Sequence, residues 1–284
     1  MNNEPIKKIG VVLRPSTPEI KDSYLKLKQI FVSYDITVLL ESNSAKMIGT
    51  KGEDFREICA KVDMLVTLGG DGTLISTVRK SFDFDIPILG VHAGNLGFLA
   101  DLSLDELDSF VAKLTHNKYK IEERSILEAT VIKNSKKIKM YAFNDVVLTR
   151  TSVSYMIHIE TSVDSKPFNT YYGDGVIIST PSGSTAYNLS SGGPIIHPAT
   201  NVFVLTPICP HSLTQRSVVL PGEFEIKMKT SEEKALIIID GQEMHELGLE
   251  ECVQIKLATK TVKLMHKNEY NYFNVLKEKL NWGK

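Results

Sequence analysis

Membrane-length apolar runs, paired cysteines and an excess of charge of either sign are all missing from this sequence, and each absence removes a class of function. No apolar run approaches the roughly 20 residues of a membrane span. The N-terminal stretch MNNEPIKK is polar, without the apolar core of a signal peptide. Cys59, Cys209 and Cys252 are odd in number, far apart and outside Cys-x-x-Cys spacing, so neither a disulfide framework nor a structural zinc site is indicated. A reducing cytoplasm fits this usage. A net charge of -1 leaves no overall basic field for nucleic acid or an acidic membrane. Catalytic signatures are missing as well. There is no Gly-x-x-x-x-Gly-Lys-Ser/Thr, and Gly70-x-Gly72 is followed by Ile75 where the dinucleotide fingerprint needs its third glycine. Ser182 and Ser184 lie outside any Gly-x-Ser-x-Gly elbow, which sets acyl transfer aside. His211 and His245 have no His or Cys partner at ligand spacing and read as structural.

What remains is an ordinary globular composition, 42% hydrophobic and 24% charged, in a chain of 284 residues that is long enough for two domains. Ile6 to Leu13 reads as a strand, followed by a helix with Ile20, Tyr24, Leu27 and Phe31 on one stripe. A strand at Ile36 to Leu40, a weaker helix near Asp54 to Lys61, a strand from Val62, a helix through TLISTVRKSF and a strand at Ile86 to Val91 continue the alternation. This βαβ order predicts an α/β domain with a parallel, Rossmann-like sheet. After a helix at Leu104 to Leu114 the pattern changes to successive strands, among them KIEERSILEATVIK, KIKMYAFNDVVLTR and FNTYYGDGVIIST. The expected division is an α/β domain over 1–123, a β-rich domain over 124–266, and a helix in 267–284 that either packs back on the first domain or mediates assembly.

The chemistry converges on Val62 to Thr73, VDMLVTLGGDGT, which passes from a doubly covered strand through glycines to a helix start. Glycines let a ligand approach the backbone, and the free N–H groups at the helix start suit phosphate oxygens. Asp71 sits among them. A carboxylate is a poor phosphate ligand, so it reads as a proton acceptor for a hydroxyl or a holder of a metal ion that bridges phosphates; alternatively the turn only closes a strand-to-helix connection. A second glycine loop, HAGNLGFLA from His92 to Ala100, would emerge at the same end of the sheet. Asn144-Asp145 reads either as a bulge in a strand or as an amide for a base edge and a carboxylate for a ribose diol. YYGDGVIISTPSGSTAYNLSSGGP, Tyr171 to Pro194, is too polar for a core; it reads as a ligand-lining loop opening a short helix at Ser184 to Ser190, with Tyr187 offering a ring for stacking.

Together these segments resemble the bacterial NAD kinases. The resemblance rests on GGDGT at Gly69 to Thr73, FNDVVL around Asn144-Asp145, GDGVIISTPSGSTAY from Gly173 to Tyr187, SGGPIIHP, LTPICPHSL around Cys209, and DGQ at Asp240 to Gln242. GGDGT alone is shared with diacylglycerol-kinase-like and phosphofructokinase-like proteins; the later motifs discriminate. The resemblance implies phosphorylation of the 2′-hydroxyl of the adenosine ribose of NAD by ATP with a divalent cation such as Mg²⁺, by a homodimer or homotetramer; cysteine usage and charge add the expectation of a cytoplasmic protein without nucleic-acid or membrane partners. It implies Asp71 as base, Gly72 in the phosphate turn, Asn144 and Asp145 on adenosine, and Asp174 at the nicotinamide end. Tyr155, Tyr172, Thr185, Ala186, Tyr187, Asn188, Leu189, Ser190, Cys209 and Gln242 fall at further dinucleotide-pocket positions. The metal ligands stay open. A lipid or sugar-phosphate kinase sharing the glycine turn, and a non-catalytic dinucleotide sensor, are the alternatives. The sequence departs from the family at three places: Tyr172 where many relatives carry a basic residue, Cys209 where alanine or a bulkier apolar residue is common, and Ser182 in place of a frequent Thr.

Overall fold

The computed structural model of the protein describes residues 5–94, 97–133 and 136–283. Asn95 and Leu96 of the second glycine loop lie outside the described residues. The chain forms two compact units, Met1–Glu123 with Val262–Lys284, and Arg124–Thr261. In chain order the first part carries β1 (Lys8–Leu13), α1 (Lys21–Ser33), β2 (Thr37–Leu40), α2 (Ser42–Met47), α3 (Phe55–Cys59), β3 (Met64–Gly69), α4 (Asp71–Ser81), β4 (Ile88–His92), β5 (Leu102–Ser103), α5 (Leu107–Leu114) and β6 (Lys120–Arg124). Then come β7 (Leu127–Lys133), β8 (Lys136–Ala142), β9 (Asp145–Thr149), β10 (Ile157–Val163), β11 (Lys166–Gly173), β12 (Gly175–Ser179), α6 (Tyr187–Ser190) and β13 (Val202–Ile208). The chain continues with β14 (Val218–Pro221), β15 (Ile226–Thr230), β16 (Lys234–Ile239), β17 (Glu243–Gly248), β18 (Cys252–Leu257), β19 (Val262–His266) and α7 (Tyr272–Leu280). Among the described residues no helix is long and apolar enough to cross a membrane.

The first unit is built on a sheet ordered β2-β1-β3-β4-β19-β6, with β5 beside β4. The described pairings of β1, β2, β3, β4, β5 and β19 are all parallel. Every residue of β3 is buried, as a strand without polar alternation requires. Met64, Val66 and Leu68 share one face with Ile9, Val11, Leu13, Leu89 and Val91, covered by Tyr24, Leu27 and Phe31 of α1 and by Phe110, Val111 and Leu114 of α5. Each such side chain removed from water contributes about 1.5–3 kcal/mol. On the other face α4 lies against β3 and β4. Gly90 permits that approach, because a Cβ there would stand 2.7 Å from Leu74 Cδ1.

Two elements of this unit depart from expectation. Helix α2 has no Ser, Thr, Asp or Asn before it; instead the buried carboxylate of Glu41 accepts from the N–H groups of Asn43 and Ser44, each at 2.8 Å. Strand β19, expected within the β-rich domain to residue 266, pairs in parallel with β4 through Leu264↔Ile88 and Met265↔Leu89. Its apolar run marks it as a strand, but burial on the parallel sheet is what selects its partner. Helix α7 follows in the same unit, with Val275 and Leu276 buried.

The second unit contains two six-stranded sheets, β11-β10-β15-β18-β7-β8 and β14-β13-β12-β9-β16-β17. The pairings within both are antiparallel. Alternate residues of both sheets meet in one core, including Leu127, Ala129, Ile157, Ile159, Ile226 and Met228 from the first and Val146, Leu148, Val176, Ile178, Phe203 and Ile237 from the second. This is a sandwich. The α/β fold with a parallel sheet and the β-rich second part match the sequence expectation. The run KIKMYAFNDVVLTR, read as one interrupted strand, is two strands in different sheets: it breaks at Phe143 and Asn144, whose N–H groups bond to a side chain rather than to a ladder.

Candidate active site

In the first unit β3 ends at Gly69, Gly70 is extended, and α4 begins at Asp71. Thr73 and Leu74 donate to the carbonyl of Gly70 at 3.0 and 3.3 Å, which closes the first turn. Nothing lies within 4 Å of the place a Cβ would occupy on Gly70, and Gly72 is exposed, so the turn is open to a ligand. The half-buried Asp71 carboxylate is oriented from the second glycine loop: Oδ2 accepts from Phe98 N–H at 2.8 Å, and Oδ1 from Leu99 and Ala100 N–H at 3.1 and 3.0 Å. A Cβ on Gly97 would overlap that carboxylate.

In the second unit Asn144 and Asp145 stand where the chain leaves one sheet for the other. Asp240 holds them there. Its carboxylate accepts from the N–H groups of Phe143, Asn144 and Asp145 at 2.9, 2.7 and 3.0 Å, and its own N–H donates to the Asp145 carbonyl at 3.0 Å. Asp240 and Gly241, with φ of 51° and 64°, form the tight turn between β16 and β17 that aims the carboxylate back. From the other side, Thr180 N–H donates to the Asn144 carbonyl at 2.8 Å and Thr180 Oγ1 to the Phe143 carbonyl at 2.7 Å. Asp145 is 4% exposed. Burial first, and the negative charge of Asp240 second, push its carboxyl up to about 7.

Asp174, between β11 and β12, forms an ion pair with Arg150 at 3.1 Å, while its carbonyl accepts from Thr149 Oγ1 at 2.7 Å. Arg150 also donates to the carbonyls of Val153 and Tyr155, and the Tyr155 hydroxyl bonds to Thr151 Oγ1 at 2.6 Å. The expected helix at Ser184 to Ser190 is instead a 3-10 turn, Ser182–Thr185, and the short α6, with a break at Ala186. Hydroxyls cause the break by bonding the backbone themselves: Ser184 Oγ donates to the Pro181 carbonyl at 2.6 Å and accepts from Ile196 N–H at 2.9 Å. Asn188 is fully buried; its amide donates to the carbonyls of Ser184 and Pro194 and accepts from Thr206 Oγ1 at 2.7 Å. Its side chain therefore holds the loop rather than facing a ligand.

Tyr187 is exposed, and its hydroxyl is raised by partial burial and then by the proximity of Cys209, Asp174 and Asp145, so four of the expected residues gather within electrostatic reach. Thr185, Ala186 and Leu189 are half-buried and Ser190 exposed on the same loop. Cys209 is exposed at φ 43°, and Gln242 is exposed beside the Asp240 turn. Tyr172 stacks on His158 with centroids 4.3 Å apart and meets the edge of His211 at 5.7 Å. Sequence reasoning missed the working parts of Asp240 and Arg150. DGQ was visible as a motif, yet only the folded turn shows what its carboxylate does.

Two family models cover most of the chain, the ATP-NAD kinase N-terminal domain over residues 9–119 and the ATP-NAD kinase C-terminal domain over 143–267. The chain is 75% identical over 283 residues to a NAD kinase of Sulfurimonas denitrificans, with 100% of both chains covered. The chain belongs to the NAD kinase family. A NAD kinase of Wolinella succinogenes is 47% identical over 98% of this chain and 96% of its own. In fold, the chain is similar to yeast NADH kinase complexed with NADH, at TM-score 0.92 and 24% identity over 99% of this chain and 89% of that one. It is also similar to an NAD kinase from Archaeoglobus fulgidus in complex with ATP, at TM-score 0.77 and 22% identity over 97% and 100%. For a NAD kinase the implied divalent cation is a question of donors. Among the described residues no three His, Cys, Asp or Glu side chains gather.

Proposed function

We propose that the chain transfers the γ-phosphoryl group of ATP to the 2′-hydroxyl of the adenosine ribose of NAD, giving NADP and ADP. The observation that carries this reading is the seat of Asp71, a carboxylate on the first turn of α4 at the carboxyl end of a buried parallel strand, with its orientation set by three backbone N–H groups. Phosphoryl transfer leaves little covalent work to a protein, so positioning and charge neutralisation carry the catalysis. The 2′-oxygen forms its bond to the γ-phosphorus, the bond to the β–γ bridging oxygen breaks, and the hydroxyl proton passes to Asp71. Oδ2 accepts one N–H, which leaves a lone pair for that hydroxyl. The open Gly70 to Gly72 turn and the start of α4 receive phosphate oxygens. A divalent cation bound with ATP would supply further neutralisation of phosphate charge.

In this reading Asn144 and Asp145 bind the adenosine, Asp174 the nicotinamide end, and Tyr187 the face of a ring, with Tyr155, Tyr172, Thr185, Ala186, Leu189, Ser190, Cys209 and Gln242 beside them. The protein acts as a homodimer or homotetramer in the cytoplasm, which sedimentation and fractionation check. The deciding experiment incubates purified protein with ATP, Mg²⁺ and NAD and follows NADP with an NADP-specific dehydrogenase. Phosphorylation of a lipid or sugar phosphate instead, or NAD binding without ATP consumption, would replace the reading. General-base assistance is worth ~10²–10⁴-fold, so Asp71→Asn should lose turnover on that scale; near-wild-type turnover at saturating substrate would take the role from Asp71.

A further inference from the structure

We propose that His266 is a positioning residue for phosphoryl transfer, acting through Asp101 to fix the backbone segment that orients Asp71. The inference rests on the role given to Asp71 above. His266 closes β19, and Asp101 directly follows Ala100, whose N–H bonds Asp71 Oδ1 at 3.0 Å. The His266 ring Nδ1 lies 3.0 Å from Asp101 Oδ1, with the two side chains 1% and 4% exposed. A carboxylate accepts, so Nδ1 carries the hydrogen. Tyr270 stacks flat on the imidazole at 3.9 Å and 15°, which fixes the ring plane. After Asp101 the chain enters β5, which pairs with β4, and β4 pairs in turn with β19. The segment that donates three N–H groups to Asp71 is thus tied at its far end to β19 by one buried side-chain hydrogen bond, beside the β5–β4 pairing that follows it.

Stability does not account for this pair. Asp101 Oδ2 and His266 Nε2 are buried without a hydrogen-bond partner among the described residues, which is destabilising, and two apolar side chains would fill the place without that penalty. A costly polar pair placed one residue from the Asp71 donors is accounted for by the orientation it imposes.

The test is the double variant Asp101→Leu/His266→Leu, which removes both polar groups together and so keeps the melting temperature near wild type. Its kcat should fall by about 10- to 100-fold, the scale of a displacement of roughly 1 Å at a reacting group, while KM for NAD and ATP moves less. Amide hydrogen exchange at residues 98–100 should become faster. In Asn the amide nitrogen stands two bonds from Cβ, as Nδ1 does in His, so His266→Asn should recover part of both losses. Wild-type kcat, or wild-type exchange at 98–100, in the double variant overturns the proposal, as does a His266→Asn enzyme no faster than the double variant. Should the double variant not fold, His266→Asn is compared with His266→Gln, whose nitrogen sits one carbon too far out; equal kcat in those two overturns it. Asp71→Asn, assayed in parallel, separates the premises. A slow double variant beside a fast Asp71→Asn removes the general base and with it the route through Asp71, whereas a fast double variant beside a slow Asp71→Asn removes the tether alone.

Discussion

Replacing Asp240 by Asn tests whether one carboxylate sets the geometry of the Asn144-Asp145 pair. Asn tolerates the left-handed backbone at φ 51° as Asp does, so the turn itself is not perturbed. The amide keeps one oxygen for Asn144 and Asp145, which donate to Oδ1, but turns an NH₂ toward Phe143 N–H, which donates to Oδ2 at 2.9 Å. One charge-assisted bond is lost and two are weakened, a cost of about 2 kcal/mol. At roughly 2–4 °C per kcal/mol for a unit of this size, the melting temperature should fall by about 4–8 °C. The same change removes a negative charge beside Asp145, whose carboxyl should titrate below its present value of about 7 while burial still keeps it above an ordinary carboxylate. Calorimetry and the pH dependence of NAD affinity measure the two effects on one sample. An unchanged melting temperature together with an unmoved Asp145 midpoint would refute the reasoning, because both follow from the same contact.

Three further expectations follow from individual residues. Gly97→Ala drives a Cβ into the Asp71 carboxylate, so kcat should drop by roughly 10²-fold; steady-state kinetics showing wild-type kcat would mean that the carboxylate need not hold its present place. Asn188→Ala removes the donor to the carbonyls of Ser184 and Pro194 and leaves Thr206 Oγ1 only Ser217 Oγ, at 3.0 Å, which should cost about 2–4 kcal/mol in urea unfolding and raise KM for NAD. Asp145 is raised from an ordinary 3.8 to about 7, so the folded state binds its proton more tightly. Its contribution favours folding below pH 4 and is lost as pH rises toward 7, on the order of 4 kcal/mol at about 1.36 per pH unit. Asp145→Asn should therefore flatten the stability profile between pH 4 and 7; an unchanged difference across that range would contradict the burial of a protonating carboxyl.

The sequence made the centre of the first unit legible because β3 is apolar throughout and stops at glycines, a pattern that local rules read directly. Helix α2 escaped because its cap is a Glu, a residue that usually serves other ends. Strand β19 was visible as a strand and invisible as a member of the parallel sheet, since alternation says nothing about partners 170 or more residues away in the chain. At the site, Asp71, Asn144, Asp145 and Tyr187 stood out through polar or glycine-rich surroundings. Asp240, Arg150, and the Asp101–His266 pair did not, because each acts by reaching a distant backbone or side chain that only folding brings near.

The position of β19 also constrains how the protein is born. The first unit needs a strand that leaves the ribosome only after the whole second unit has been synthesised, since residues 124–261 lie between its two pieces. At about 5–20 residues per second, β4, paired with β5 only at Val91 and His92, waits roughly 10–35 s with Ile88 and Leu89 unpaired on that side before β19 arrives to slot between it and β6. The sandwich can mature early; the parallel-sheet unit is finished last. A translation stop shortly before residue 262 would thus strand a nascent chain with an open parallel edge, a natural target for holding chaperones and for degradation.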